Sequence, residues 1–235
     1  MAQASPAQTS KQASPTSHRA SMDGCAMTVG RLSSFLSLVL SLLGPRLVDA
    51  GCPDVASFRT EAVISSFDPA LVKGLWYEHR YKDPAQALAS CQTMNGTLNG
   101  NILEIDFSVR YGLIPFTIQE IYTPVDPPQP GVYSKGVNEP GGQFVKLQTA
   151  FVDVKVGAHG LYEQFSMYSC ISALGFPVEE VIFATRSRVP DEAEVDQMMQ
   201  LALKQGVPFK VESLSKVDHS KCPTAAAPAA LSLLV

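Results

Sequence analysis

The chain has 235 residues, 46% of them hydrophobic and 17% charged, and its 18 basic and 22 acidic side chains leave a formal net charge of −4. This composition is that of a globular protein and argues against wholesale disorder. An acidic balance without a basic cluster gives nucleic acid no electrostatic footprint, so that class of partner is set aside.

The first fifty residues have the composition of an address rather than of a fold. Residues 1–26 are rich in Ser, Ala and Gln, and are expected to be a disordered leader or to be untranslated, with Met27 the start. Residues 27–50 have the three parts of a signal peptide: Arg31, an apolar run from Leu32 to Leu43 broken only by serines, and the small-residue end Val48-Asp49-Ala50. Cleavage after Ala50 would start the mature protein at Gly51, in a secreted product or in the lumen of an organelle on that route. The run is short for a bilayer span and charges flank it, so no stable membrane insertion is expected, an uncleaved anchor being the alternative.

Of five cysteines, Cys25 falls in the leader, leaving Cys52, Cys91, Cys170 and Cys222. An even set in an exported domain suggests two disulfides, with three connectivities open. None forms Cys-x-x-Cys or neighbours a His pair, so no metal is expected. Asn95-Gly96-Thr97 is a glycosylation sequon, making Asn95 a candidate site in an exported protein.

Most of residues 51–223 reads as strands. Over 102–110, Leu103, Ile105, Phe107 and Val109 share one face, while Glu104, Asp106, Ser108 and Arg110 share the other, the period of a half-buried strand. Runs at 74–81, 90–98, 115–123, 144–155, 161–170 and 178–185 are also rich in β-branched and aromatic residues. Turn chemistry separates them: Asn99-Gly100, Pro124 to Gly131, Pro140-Gly141-Gly142 and Gly157 to Gly160. Many short strands at close spacing indicate a sandwich or a barrel.

One helix follows. Asp191 with Glu194 forms an acidic capping box, and Val195, Met198, Met199 and Ala202 keep the spacing of one apolar face. Gly206 is placed to end the helix in a left-handed cap. Phe209 to Ser213 is expected to form a final strand. The tail, 224–235, is small and apolar; it is expected to be disordered, a lipid-anchor signal being the alternative.

No catalytic constellation stands out. The four histidines, His18, His79, His159 and His219, are scattered, and there is no Gly-rich phosphate loop, nucleophile elbow or His-Glu-x-x-His. His79 lies on the strand face opposite Trp76 and is expected to be solvated or hydrogen-bonded. Glu104 and Asp106 belong to a solvated face rather than to an acid–base pair.

The segment Phe67-Asp68-Pro69-Ala70-Leu71-Val72-Lys73-Gly74-Leu75-Trp76-Tyr77-Glu78 resembles the opening block of lipocalins, with its Gly-x-Trp at the first strand, and is most similar to the apolipoprotein D and bilin-binding group. Cys91, Tyr168-Ser169-Cys170, Arg186 and the ending Val217 to Pro223 resemble that group at matching spacings. The likeness covers 52–223. The family's Thr-Asp-Tyr is replaced by Gly157-Ala158-His159-Gly160-Leu161-Tyr162, and the stretch from Cys52 to Phe67 is longer than usual.

The resemblance implies an all-β, eight-stranded antiparallel up-and-down barrel with one C-terminal helix outside. It implies that Trp76 plugs the closed end with Arg186 stacked over it and Gly74 leaving room, and it pairs Cys52 with Cys170 and Cys91 with Cys222. The function implied is carriage of a small hydrophobic ligand (fatty acid, sterol, carotenoid or tetrapyrrole) with no cofactor. Candidate lining residues by parity are Leu103, Ile105, Phe107, Val109, Phe151 and Phe165, and no interior charge is evident. A lipid isomerase or de-epoxidase on the same barrel is the alternative, and the sequence leaves any receptor or homo-oligomer open.

Overall fold

A computed structural model of the chain describes residues 51–223. The expected leader (1–26), signal peptide (27–50) and tail (224–235) lie outside the described residues.

Eight strands close on themselves. They are β1 (Gly74–Lys82), β2 (Ser90–Asn99), β3 (Ile102–Tyr111), β4 (Ile114–Pro124), β5 (Val132–Val137), β6 (Leu147–Val156), β7 (Tyr162–Ala173) and β8 (Phe176–Thr185). Each pairs antiparallel with the next, and β1 pairs with both β2 and β8, so no edge of the eight is left open. A two-residue strand, β9 (Ser215–Lys216), adds to β1 at Arg80 and Tyr81. Two helices flank the barrel, α1 (Glu61–Ser66) and α2 (Glu192–Lys204).

The expected barrel with its outer helix is present, and three details differ from the sequence reading. Strand β5, Val-Tyr-Ser-Lys-Gly-Val, was not among the expected runs. Its Lys135 and Gly136 are residues that strands disfavour, but here β4 and β6 supply a ladder on both sides and bury both. The run expected from 144 begins as a strand only at Leu147, because pairing with β5 stops at Lys135↔Leu147 and leaves Phe144 and Val145 exposed. The final strand is Ser215–Lys216 rather than 209–213: Phe209 turns inward against Phe183, ring centroids 5.6 Å apart, and a 3-10 turn occupies Val211–Ser213.

Two apolar cores result. One fills the closed half of the barrel around Trp76; the other lies between the outer wall and α2, where Val195, Met198, Met199 and Ala202 are buried as their spacing predicted. Each buried methionine contributes about 1.5–3 kcal/mol of gross driving force. Asp191 caps α2 by accepting from the Ala193 N–H at 2.9 Å. Glu194 approaches Lys155 at 3.5 Å. Gly206, at φ 88°, ends the helix: its N–H donates to Leu203 and the Val207 N–H to Ala202, the two bonds of a Schellman motif.

The long stretch after Cys52 forms a lid over the closed end. Val63 of α1 is fully buried, and a Cβ added to Gly131 would lie 2.5 Å from its Cγ1, so only glycine lets the helix seat there. Without a Thr-Asp-Tyr, the β6–β7 turn closes through Gly157 N–H to the Leu161 carbonyl, and the Tyr162 hydroxyl accepts from the Asp68 N–H at 2.8 Å, tying the lid's end to the barrel.

Candidate functional site

The floor of the barrel is built around one indole. Trp76 is fully buried, donates from Nε1 to the Val72 carbonyl at 2.7 Å, and meets the Phe165 ring edge-on at 4.5 Å between centroids. Phe151 packs on Phe165 at 5.3 Å and Phe67 on Phe151 at 4.8 Å. Arg186 covers the indole from outside, its guanidinium carbon 3.7 Å from the ring centroid. Gly74 has φ 93°, and a Cβ there would come within 3.3 Å of Arg186 Nη1, so the absence of a side chain leaves the guanidinium its place.

Above this floor is a cavity of about 220 Å³. Its apolar wall includes Phe107 and Val109 of β3, Phe116 and Ile118 of β4, and Val137 and Leu147. All six residues expected to face inward do so and are buried. They divide by height, however: Phe107 and Val109 line the cavity, whereas Leu103, Ile105, Phe151 and Phe165 pack in the filled half beneath it. The connections β1–β2, β3–β4, β5–β6 and β7–β8 gather at the open end, and there Leu88, Leu113, Ile114, Phe144, Leu174 and Phe176 are exposed, an apolar rim.

One side of the interior is charged, which corrects the expectation of an interior without charge. Lys135 Nζ lies 2.8 Å from Glu120 and 2.7 Å from Glu180, all three side chains being nearly inaccessible. The Tyr122 hydroxyl donates to the other Glu120 oxygen at 2.7 Å. Glu78, two residues beyond the Trp76 plug, is fully buried; burial first, and then the nearby Asp83, push its carboxyl well above the usual range. Burial also raises Asp83, with Glu180 adding to it. Gln86 donates to Glu78 at 3.5 Å. Among the described residues, Glu78 Oε1, Gln86 Oε1 and both polar atoms of the Gln92 amide are buried with no hydrogen-bond partner. The sequence did carry a signal: Glu78 shares the parity of Trp76, and Glu120 that of Tyr122.

The outer wall is fastened by the two disulfides, Cys52–Cys170 and Cys91–Cys222, with Cα separations of 5.7 and 5.5 Å. The second holds the C-terminal segment over β1. There His79 is buried and bonds to the Thr185 hydroxyl at 3.0 Å and the Ser187 carbonyl at 3.1 Å, the second of the two states expected of it, and His219 bonds to the Glu78 carbonyl at 2.7 Å. Arg188 donates to the carbonyls of His219 and Cys222. Asn95 is exposed on β2. Among the described residues no three His, Cys, Asp or Glu side chains come together as a metal site, and no helix is long and apolar enough to cross a membrane.

No family model matches the chain, and no curated protein matches it. Solved structures do. Apocrustacyanin C1 is similar with a TM-score of 0.52 at 15% identity over 72% of this chain and 87% of that one. Insecticyanin from the tobacco hornworm Manduca sexta gives 0.52 at 13% identity over 71% and 85%. H1 crustacyanin from the lobster Homarus americanus gives 0.50 at 16% identity over 61% and 75%. The likeness is one of fold, and the fold is that of the lipocalins.

Proposed function

We propose that this lipocalin barrel is a carrier, exported from the cell, that holds one small and mainly apolar molecule in its open half. The observation that carries the reading is the cavity of about 220 Å³ between the packed floor and the apolar rim, walled by Phe107, Val109, Ile118 and Leu147. Barrels of eight strands have an interior that either fills with side chains or holds one small ligand, and this one does the first below and leaves space for the second above. Burial of apolar surface at about 25 cal/mol per Å² supplies the drive, and the costs of association reduce it to a micromolar expectation. The cavity is smaller than most drug-sized pockets, which favours a short chain or a single ring over a tetrapyrrole.

Export is supported by the two disulfides and by the composition of residues 27–50. Phe107 and Val109 are the proposed ligand contacts among the residues named from sequence, with Leu103, Ile105, Phe151 and Phe165 as the base on which the ligand rests. The enzyme alternative loses its most obvious nucleophile, since all four cysteines of the described residues are bonded in pairs. Organic extraction of protein purified from its native source, followed by mass spectrometry, tests the proposal. A stoichiometric small apolar compound is expected; repeated recovery of none, together with no uptake of added apolar compounds, removes the carrier reading.

A further inference from the structure

The polar side of the cavity is unbalanced in a way that selects the ligand's head group. Three carboxyl groups line it, on Asp83, Glu120 and Glu180, against the single ammonium of Lys135. That ammonium is held at 2.8 and 2.7 Å by Glu120 and Glu180, so it is already neutralised. A carboxylate ligand would have to displace one of these partners and then sit beside the carboxylate it displaced, in a medium where like charges repel far more strongly than in water.

A second, independent observation shows what is missing. Gln86 is 2% exposed and lines the cavity, and its Oε1 has no partner; Glu78 beside it is 0% exposed, and its Oε1 has none either. Buried polar atoms are almost always satisfied; these two are left open, and the carbonyl of Gln86, which lines the cavity, can only accept. The protein supplies an open amide carbonyl and carboxyl groups along one side of an otherwise apolar pocket, beside its mouth. A group with several N–H donors and a positive charge answers both.

We infer that the cavity takes a lipophilic amine, its ammonium seated among Gln86, Asp83 and Glu180 and its hydrocarbon part against Phe107, Val109 and Ile118. This deepens the carrier reading and rests on it. An alcohol of the same length fills the apolar part but brings one donor and no charge. The corresponding carboxylate brings only acceptors and the wrong sign.

Calorimetric titration of the purified, disulfide-intact protein at pH 7.5 with octylamine, octan-1-ol and octanoate tests this. Octylamine is expected to bind about tenfold or more tighter than octanol, the gain of a charge-assisted hydrogen bond over a neutral one, and octanoate weaker than both. In Gln86→Leu and in Asp83→Asn, each checked for native near-ultraviolet circular dichroism, the octylamine-to-octanol ratio is expected to fall severalfold. Octanol or octanoate binding as tightly as octylamine overturns the inference while leaving a carrier of another ligand. A preference for octylamine that persists unchanged in both variants also overturns it, since the amine is then held elsewhere on an acidic surface. If none of the three compounds binds, the carrier reading itself fails.

Discussion

The guanidinium carbon of Arg186 lies 3.7 Å from the centre of the Trp76 ring, and the same side chain donates to the carbonyls of Tyr162, Leu75, Leu71 and Lys73 at 3.0, 2.9, 3.2 and 2.6 Å. One side chain thus caps the barrel floor and satisfies carbonyls from the entry segment, β1 and β7. Burial lowers its pKa to about 10, which still leaves it charged at neutral pH. Lysine has a point charge in place of the planar fork and cannot reach four carbonyls at once. Arg186→Lys is expected to lower stability by about 3 kcal/mol, from lost carbonyl bonds and a weaker cation–π contact. Urea unfolding followed by the fluorescence of the single tryptophan measures it; an unchanged midpoint would show the stack to be passive.

The buried Lys135 gives a prediction of opposite signs for single and combined changes. Lys135→Met leaves Glu120 and Glu180 buried without their cation and is expected to cost about 3–5 kcal/mol. Adding Glu120→Gln and Glu180→Gln to it removes the stranded charges and should restore most of that loss. Denaturation midpoints of the parent, the single and the triple variant decide it. A triple variant no more stable than the single would mean that the cost is one of packing.

The same lysine explains what the sequence hid. Strand β3 was legible because Leu103, Ile105, Phe107 and Val109 alternate with polar residues and the inner wall there is wholly apolar. Helix α2 was legible for the same reason at its own period. Strand β5 was not, because Lys135 stands between Tyr133 and Val137 on its inward face, and a charge facing a core breaks the pattern by which strands are found. The gap in the strand reading and the missed lysine of the site are therefore one fact. Height along the barrel was equally hidden: parity says which side chains face inward, but only the packing of Phe67, Phe151 and Phe165 on Trp76 shows how far up the filling extends.

Acid sensitivity follows from the two histidines under the C-terminal segment. Burial and the nearby His219 lower the pKa of His79 to about 4, and burial lowers that of His219 as well. Both are neutral in the fold, whereas in the unfolded chain they titrate at about 6.5. The unfolded state therefore binds more protons between about pH 6.5 and 4, and stability falls as pH falls through that window. Glu78 acts oppositely, since its raised pKa costs stability as pH rises above its ordinary range. His79→Gln should flatten the acid limb, seen as a smaller difference in Tm between pH 7 and pH 5. An equal difference would assign the acid sensitivity to other groups.

The disulfide Cys91–Cys222 spans 131 residues and fixes the segment that covers His79. Its removal in a Cys91→Ala, Cys222→Ala double variant is expected to cost about 4 kcal/mol, near the upper part of the range for long loops. The urea midpoint measures this, with the cavity's ligand affinity unchanged because the bridge lies on the outer wall. A loss of affinity with the barrel still folded would tie the outer segment to the site.

The central claim, that the open half of the barrel is the binding site, is tested most directly by two neighbouring substitutions on β3. Phe107 faces the cavity and Asp106 the outer surface. Titration of the parent with an apolar fluorescent probe such as 1-anilinonaphthalene-8-sulfonate is confounded by the probe's own charge, so the neutral N-phenyl-1-naphthylamine is the probe to use. Phe107→Asp places a carboxylate against an apolar wall and should weaken the probe at least tenfold, the scale of desolvating an unpaired charge, while Asp106→Asn should leave its affinity within about twofold. Equal affinities for the parent and both folded variants would contradict the account, because the probe would then be bound outside the barrel.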